Sequence, residues 1–530
     1  MRCPHSPRNL YEIDTRAWVR ELGVARLRDV PDEALDRLAA LGFSWVWLMG
    51  VWTPSSYAER LARQHADEYR RALPDLVVDA DVVASPYAVG AYEVSSRLGG
   101  PGDLASLRAR LATRGLRLLL DFVPNHTACD HRFVLTQPEM YVGATASAST
   151  RDTFGTPDGR RLFHGRDPHF PAWTDTAQVD VRRASTRHAL IEELRSVARQ
   201  CDGVRCDMAM LLLSDVFART WSRPDALQPA QSDAARGEFW AEAIDRVRAD
   251  QPEFVFLAEA YWGTERRLHQ LGFDYTYDKS LYDRLGEGRA DEVRAHLAEG
   301  RARHRRAVRF LENHDEERAA ARFANDMHRV AALLSMTLPG VRLFQHGQLE
   351  GARHRVPVQV TRRPEEPVDE ALASFYEALL EALADPVLLS GDWRSLLPEQ
   401  AWPHNPTHLA FVAYGWDGSL LGDHRHGHRL LVANLAAHPA QCRLPMALPG
   451  LAGRRVALRE VLASGRTPVG EGCDASGRPV YHRDGDEMTA SGLFVDLPPR
   501  TAQLLRVEIL RDRVSGCTET LRWGDPDIIR

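Results

Sequence analysis

The stretch LRLLLDFVPNH, residues 116–126, decides the reading of this chain. It is an apolar run of strand length that meets a carboxylate, Asp121, and breaks at Pro124. Upstream, Leu104, Leu107 and Leu111 share one helical face, and Gly115 stops that helix. Three more stretches repeat the order of helix, apolar strand and acid. GVRCD (203–207) ends on Asp207, FVFLAE (254–259) on Glu259 and RFLENHD (309–315) on Asp315. Leu190, Leu194 and Val197 give the helical spacing before the first of these, and Trp240, Ile244 and Val247 before the second.

Near-continuous apolar strands alternating with amphipathic helices predict a parallel sheet covered on both faces. Further strands are expected in LYEID (10–14), SWVWLMG (44–50), GFDYTYD (272–278) and VRLFQHG (341–347). Eight such units within the first 390 residues fit a closed (β/α)8 barrel; an open doubly wound sheet is the alternative. In a barrel of this kind the active site lies at the C-terminal ends of the strands, so the four acids would gather at one rim.

The expected division is a barrel over 1–126 and 183–390, interrupted at 127–182 by a Gly-, Pro- and aromatic-rich segment over the rim. From 391 to 512 short alternating runs (HLAFVAYGW, HRLLVANLA, RRVALREVL, GLFVDLP, TAQLLRVEI) predict an antiparallel β-sandwich, with a polar tail at 513–530. The 67 basic and 73 acidic residues are well mixed, giving a net charge of −6. No polybasic run or long apolar run exists, which argues against nucleic acid or membrane as partner. Seven scattered cysteines without zinc spacing read as free thiols in a cytoplasmic protein.

Asp207 follows Arg205 by two positions, so both face the same way along a strand. An arginine there orients the carboxylate and lowers its pKa, as suits a nucleophile; a structural Arg–Asp pair gives the same pattern. Glu259 precedes Tyr261 and Trp262, and aromatic surroundings disfavour the charged form, as suits a general acid. Two Asn-His pairs, Asn125-His126 and Asn313-His314, both follow apolar strands and offer imidazoles to hydroxyl groups.

In this order, DFVPNH (121–126), GVRCD (203–207), AE (258–259) and ENHD (312–315) resemble the four signature regions of the α-amylase family, glycoside hydrolase family 13. The resemblance implies a (β/α)8 TIM barrel with a small domain inserted after strand 3 and a C-terminal β-sandwich. It implies a retaining double displacement at an α-glucosidic bond. By that match Asp207 is the nucleophile, Glu259 the general acid and then base, and Asp315 the group that holds sugar hydroxyls. Arg205 would orient Asp207, His126 and His314 would bind hydroxyls, and Asp121 would brace the rim. Tyr87 in SPYAVGAY, or Tyr92 close by, would stack on the sugar, with Tyr261 and Trp262 also lining the site.

Arg318 resembles the NHDxxR pattern of members that act on chain ends or small α-glucosides. It would fork onto terminal hydroxyls or close the pocket, or else face solvent at a helix start. Met210 and Leu211 stand where many endo-acting amylases carry Lys-His, which weakens an endo-amylase reading. Asn125 matches a calcium-linked position in some amylases. However, Asp152, Asp158, Asp167 and Asp175 are spread out, whereas calcium needs six or more converging oxygens. The expected activity is hydrolysis of α-linked glucosides or glucans. A transglycosylase using the same intermediate is the alternative, and a non-catalytic carbohydrate-binding scaffold a remote one.

Overall fold

The computed structural model describes residues 8–513, apart from 422–426, 447, 449 and 469. Eight parallel strands close on themselves: β1 (Asn9–Asp14), β2 (Trp45–Met49), β3 (Arg117–Phe122), β4 (Gly203–Cys206), β5 (Val255–Ala258), β6 (Tyr275–Tyr277), β7 (Ala307–Arg309) and β8 (Val341–Gln345). Each pairs with the next. The seam is closed by β1 against β8, with Asn9 opposite Arg342 and Glu12 opposite Gln345. That seam rules out the open sheet.

The strands form where the apolar runs predict them. Their inward side chains, including Leu10, Trp45, Trp47, Leu119, Leu257, Tyr277 and Leu343, make one buried cluster. At the narrow start of β4 a glycine is required, because a Cβ on Gly203 would lie 2.7 Å from the Val255 carbonyl oxygen. The helices Pro101–Ala112, Ala184–Ala198 and Phe239–Asp250 bury the faces that the spacing marks. Strand β7 departs from expectation. It spans three residues, so Asp315 lies six positions past its end rather than at it.

Between His126 and Arg183 the chain makes two small antiparallel pairs, His126–Ala128 with Thr176–Gln178 and Thr153–Gly155 with Arg161–Phe163. A second elaboration was not evident from periodicity. Ser56–Gln64, Ala66–Tyr69 and Val78–Asp81 are short helices over a separate apolar cluster of Ala62, Tyr69, Leu73, Leu76 and Val82. Their turns are too short to show a helical repeat.

The chain divides into two compact units. One holds the barrel up to Glu287 and again from Glu299 to Ala384; the other joins Gly288–Ala298 to the chain from Asp385 onward. The second unit contains a seven-stranded and a three-stranded sheet, and each of the five alternating stretches supplies a strand. The strands pair antiparallel, and Phe411, Leu430, Val432, Cys442, Leu458, Leu497 and Val507 form the buried layer. The expected polar tail lies, from residue 514 on, outside the described residues.

Candidate active site

Register brings the acids together. Pairing of β3 with β4 sets Asp121 opposite Arg205, and pairing of β4 with β5 sets Cys206 opposite Ala258. Asp207 and Glu259 therefore leave their strands at the same level. Arg205 is fully buried. Its Nη1 donates to Asp207 Oδ1 at 2.7 Å and lies 3.4 Å from Asp121 Oδ1, while its Nη2 donates to Glu259 Oε2 at 2.8 Å. The rings of Trp47, Tyr87 and Tyr277 sit around the guanidinium, 5.1 to 5.9 Å from their centroids. Burial works against the charge on Arg205, but Glu259, Tyr87, Tyr277 and Asp207 hold it cationic.

One cation thus serves three carboxylates. Asp207 is not held low by its arginine as expected. Burial pushes its carboxyl up to about 8 against the pull of Arg205, and the nearby charge of Glu259 adds to the rise. Asp121, buried and bonded to the Trp47 indole N–H at 3.0 Å, is raised by burial to about 6. Glu259 is not in the purely apolar setting expected either. Its Oε2 accepts from Met208 N at 2.7 Å as well as from Arg205, and its Oε1 accepts from Tyr261 OH at 2.7 Å. The Met208 N–H reaches Glu259 because Met208 has φ of 41°, a left-handed conformation that costs a non-glycine residue about 1–3 kcal/mol.

On the opposite side His314 is a hub. Its Nε2 lies 2.7 Å from Tyr87 OH and 3.0 Å from Asp315 Oδ2, and its Nδ1 lies 2.5 Å from Glu12 Oε1. Tyr87 stacks on its ring. Asp315 is the most open of the three acids, its side chain 45% exposed. Desolvation raises its carboxyl, but His314, Arg205 and Arg355 more than offset this and hold it well below the usual range. Tyr87, not Tyr92, is the ring of this site: the Tyr92 hydroxyl is spent on the backbone of Val123, donating to its carbonyl and accepting from its N–H. His126 lies against the Tyr87 backbone and packs on Trp173; burial lowers it to about 4, so it is a neutral ring.

Tyr261 reaches the acid directly. Trp262 is 45% exposed, has φ of 62°, and meets His169 of the inserted segment edge to face at 4.9 Å. Arg318 does not face solvent: it is buried, its Nη2 paired with Glu312 Oε1 at 2.9 Å and donating to the His346 carbonyl. The arginine near Asp315 is instead Arg355, exposed, with its Nε 3.4 Å from the His314 carbonyl oxygen. Sequence reading missed it because it stands in an aperiodic loop. Glu12 was also missed, although a lone carboxylate inside the apolar run of β1 was a usable signal.

Asn125 does not fit a calcium ligand. Its side-chain oxygen accepts from Gln178 Nε2 at 3.0 Å, and its own amide nitrogen faces His126 Nδ1 at 3.2 Å. Among nearby carboxylates, Asp180 is bound by Arg182 and Asp167 by the backbone of His169 and Phe170. A hard cation needs converging free oxygens, which this set does not offer. Treatment with EDTA should therefore leave Tm unchanged in a scanning calorimeter; a fall reversed by added calcium would show that an ion binds there.

The sequence model of the family described as "Alpha amylase, catalytic domain" matches residues 32–374, most of the chain. The chain belongs to the α-amylase family. It is 26% identical over 395 residues to the alpha-amylase MalA of Haloarcula japonica, covering 72% of this chain. It spans about half the length of that relative, 49%. Solved structures similar in fold include an alpha-amylase from Lactobacillus plantarum (20% identity, TM-score 0.61, 92% of this chain and 98% of that one). Another is the maltogenic alpha-amylase AmyB of Thermotoga neapolitana (18% identity, TM-score 0.64, 95% and 99%). In this α-amylase family member the signature motifs and the three convergent acids occupy one rim of one barrel.

Proposed function

We propose that the protein is a retaining glycoside hydrolase that cleaves α-glucosidic bonds of oligosaccharides or α-glucans through a covalent glycosyl-enzyme. The observation that supports this best is the sharing of one guanidinium by Asp207 and Glu259. Two carboxyls on the two ends of one fork support a nucleophile and an acid/base serving one glycosidic bond, and retaining enzymes use a separation of about 5–5.5 Å.

In the first step Asp207 attacks the anomeric carbon while Glu259 delivers the proton to the departing oxygen. In the second, Glu259 takes a proton from an incoming water as its oxygen bonds to the anomeric carbon, which breaks the glycosyl ester and frees Asp207. Asp315 and His314 grip ring hydroxyls on the glycone side. Tyr261 and the backbone N–H of Met208 steady Glu259 through both roles. Met210 and Leu211 are buried, so they offer the leaving side no hydrogen bonds.

The exposed Trp262, three residues past Glu259, favours a second reading. Apolar faces on the acid–base side suit a sugar acceptor as well as water, and transfer uses the same intermediate. A reducing, cytoplasmic setting accords with the free thiols of the described cysteines.

The deciding experiment is incubation with maltose, maltotriose, trehalose, sucrose and glycogen, following products by chromatography and anomers by NMR. Release of the α-anomer first is expected, and release of the β-anomer would overturn the retaining mechanism. Longer or isomeric oligosaccharides would establish transfer.

A further inference from the structure

We propose that Glu12 is a positioning residue for catalysis, holding His314 as an imidazolium that in turn fixes Asp315 against the sugar. This rests on the glycosidase reading only for the role of Asp315. Two carboxylates flank His314, and the Tyr87 hydroxyl lies 2.7 Å from the ring's Nε2. Its Nδ1 meets the Glu12 carboxylate at 2.5 Å, and its Nε2 meets the Asp315 carboxylate at 3.0 Å. A neutral imidazole carries one N–H, so it would turn a lone pair toward one of these carboxylates; the cation donates to both.

The surroundings agree. From β1, Glu12 touches the ring and Asp14 lies near it; Asp121 of β3 also bears on it, and Trp47 of β2 meets it edge to face. Tyr87 stacks on it, Asp315 adjoins it and Arg355 touches its carbonyl. Desolvation opposes the proton on His314, but Asp315 and Glu12 outweigh it and raise the imidazole well above its ordinary value.

Glu12 is 1% exposed on the interior of β1, and its second oxygen, Oε2, has no hydrogen-bond partner. A group placed for packing alone would be apolar here, since a buried carboxylate costs stability unless paired. The chain keeps the carboxylate, and its bonded partner is the catalytic-site histidine.

The test uses Glu12→Gln, which preserves shape and removes charge, in the full chain. Ring nitrogen shifts of His314, assigned by comparison with His314→Gln, are followed by NMR against pH. In the parent the ring should stay doubly protonated through about pH 6.5, where a free histidine titrates. In Glu12→Gln it should lose its proton nearer that value. The sign is set by linkage: removing an anion lowers the imidazole pKa, so the cation disappears earlier as pH rises.

Kinetics should show kcat/KM approaching the parent at acidic pH and falling by at least about tenfold on the alkaline limb, the equivalent of one pH unit. The loss should sit in kcat rather than KM. An unchanged His314 titration, or an equal loss at every pH, would overturn the proposal. If Glu12→Gln does not fold, Glu12→Asp keeps the charge but shortens the reach. It should retain the imidazolium with reduced kcat, and a neutral ring in that variant would also overturn the proposal. The NMR arm needs no substrate, so it judges Glu12 even if no glucoside is turned over.

Discussion

Asp207→Asn is expected to abolish glycoside turnover while leaving the fold intact. The amide keeps the shape of the side chain and an oxygen for Arg205 Nη1, but it cannot attack the anomeric carbon. Loss of the covalent route should exceed the roughly 10²–10⁴-fold typical of removing a general acid, which is the expectation for Glu259→Gln. Stability should move the other way. Burial pushes Asp207 up to about 8, so as pH rises from the ordinary aspartate range the unfolded chain ionises first and the folded protein loses stability. A neutral amide escapes that loss, and the variant's Tm at pH 8 should equal or exceed the parent's. Release of nitrophenol from an aryl α-glucoside, with calorimetry on the same samples, reads both effects. Activity within tenfold of the parent would remove Asp207 from the reaction.

The largest stability effect is expected at Arg205. In Arg205→Met, Asp121, Asp207 and Glu259 lose their shared cation in a buried site. Breaking a buried ion pair by deleting one partner typically costs about 3–5 kcal/mol, because the remaining charge is left unpaired. The deficit should be greatest near pH 8 and shrink toward pH 5, since carboxylates already raised to about 6 and about 8 are protonated as pH falls. Urea melts at the two pH values check this. Arg205→Lys restores a charge without the fork, so it should recover part of the stability and little activity. A methionine variant as stable as the parent at pH 8 would show that the guanidinium does not balance these acids.

The barrel was legible because each strand is a short apolar run that follows a helix of the right period, and a closed parallel sheet leaves that double imprint. Asp207 and Glu259 were legible because they directly follow such runs. Asp315 was found by motif, but its place was misread. The residues Phe310–His314 are as buried as a strand, so burial imitated one beyond the three residues that pair. Arg318 misled because nothing in NHDEER marks whether an arginine turns toward the pocket or back to Glu312. That choice is set by tertiary packing, three residues from the motif. Glu12 acts across 302 positions and Arg355 across 41, and no local pattern records such contacts. The raised carboxyl of Asp207 was missed for a similar reason: spacing shows that an arginine is near, but not how many acids divide it.

The bond between Glu12 and His314 joins positions 302 apart. The ring of strands shuts through β1 and β8, so the pocket has parts from near both ends of a span of about 340 residues. A growing polypeptide delivers Asp121, Asp207 and Glu259 to the ribosome exit early, at about 5–20 residues per second, yet has no histidine for Glu12 to meet. Contacts of such long range form late and slowly. A fragment ending before Gln345 would thus carry the reacting acids and no working catalyst, and hydrolytic competence should arrive in one step when the last strand of the ring is made.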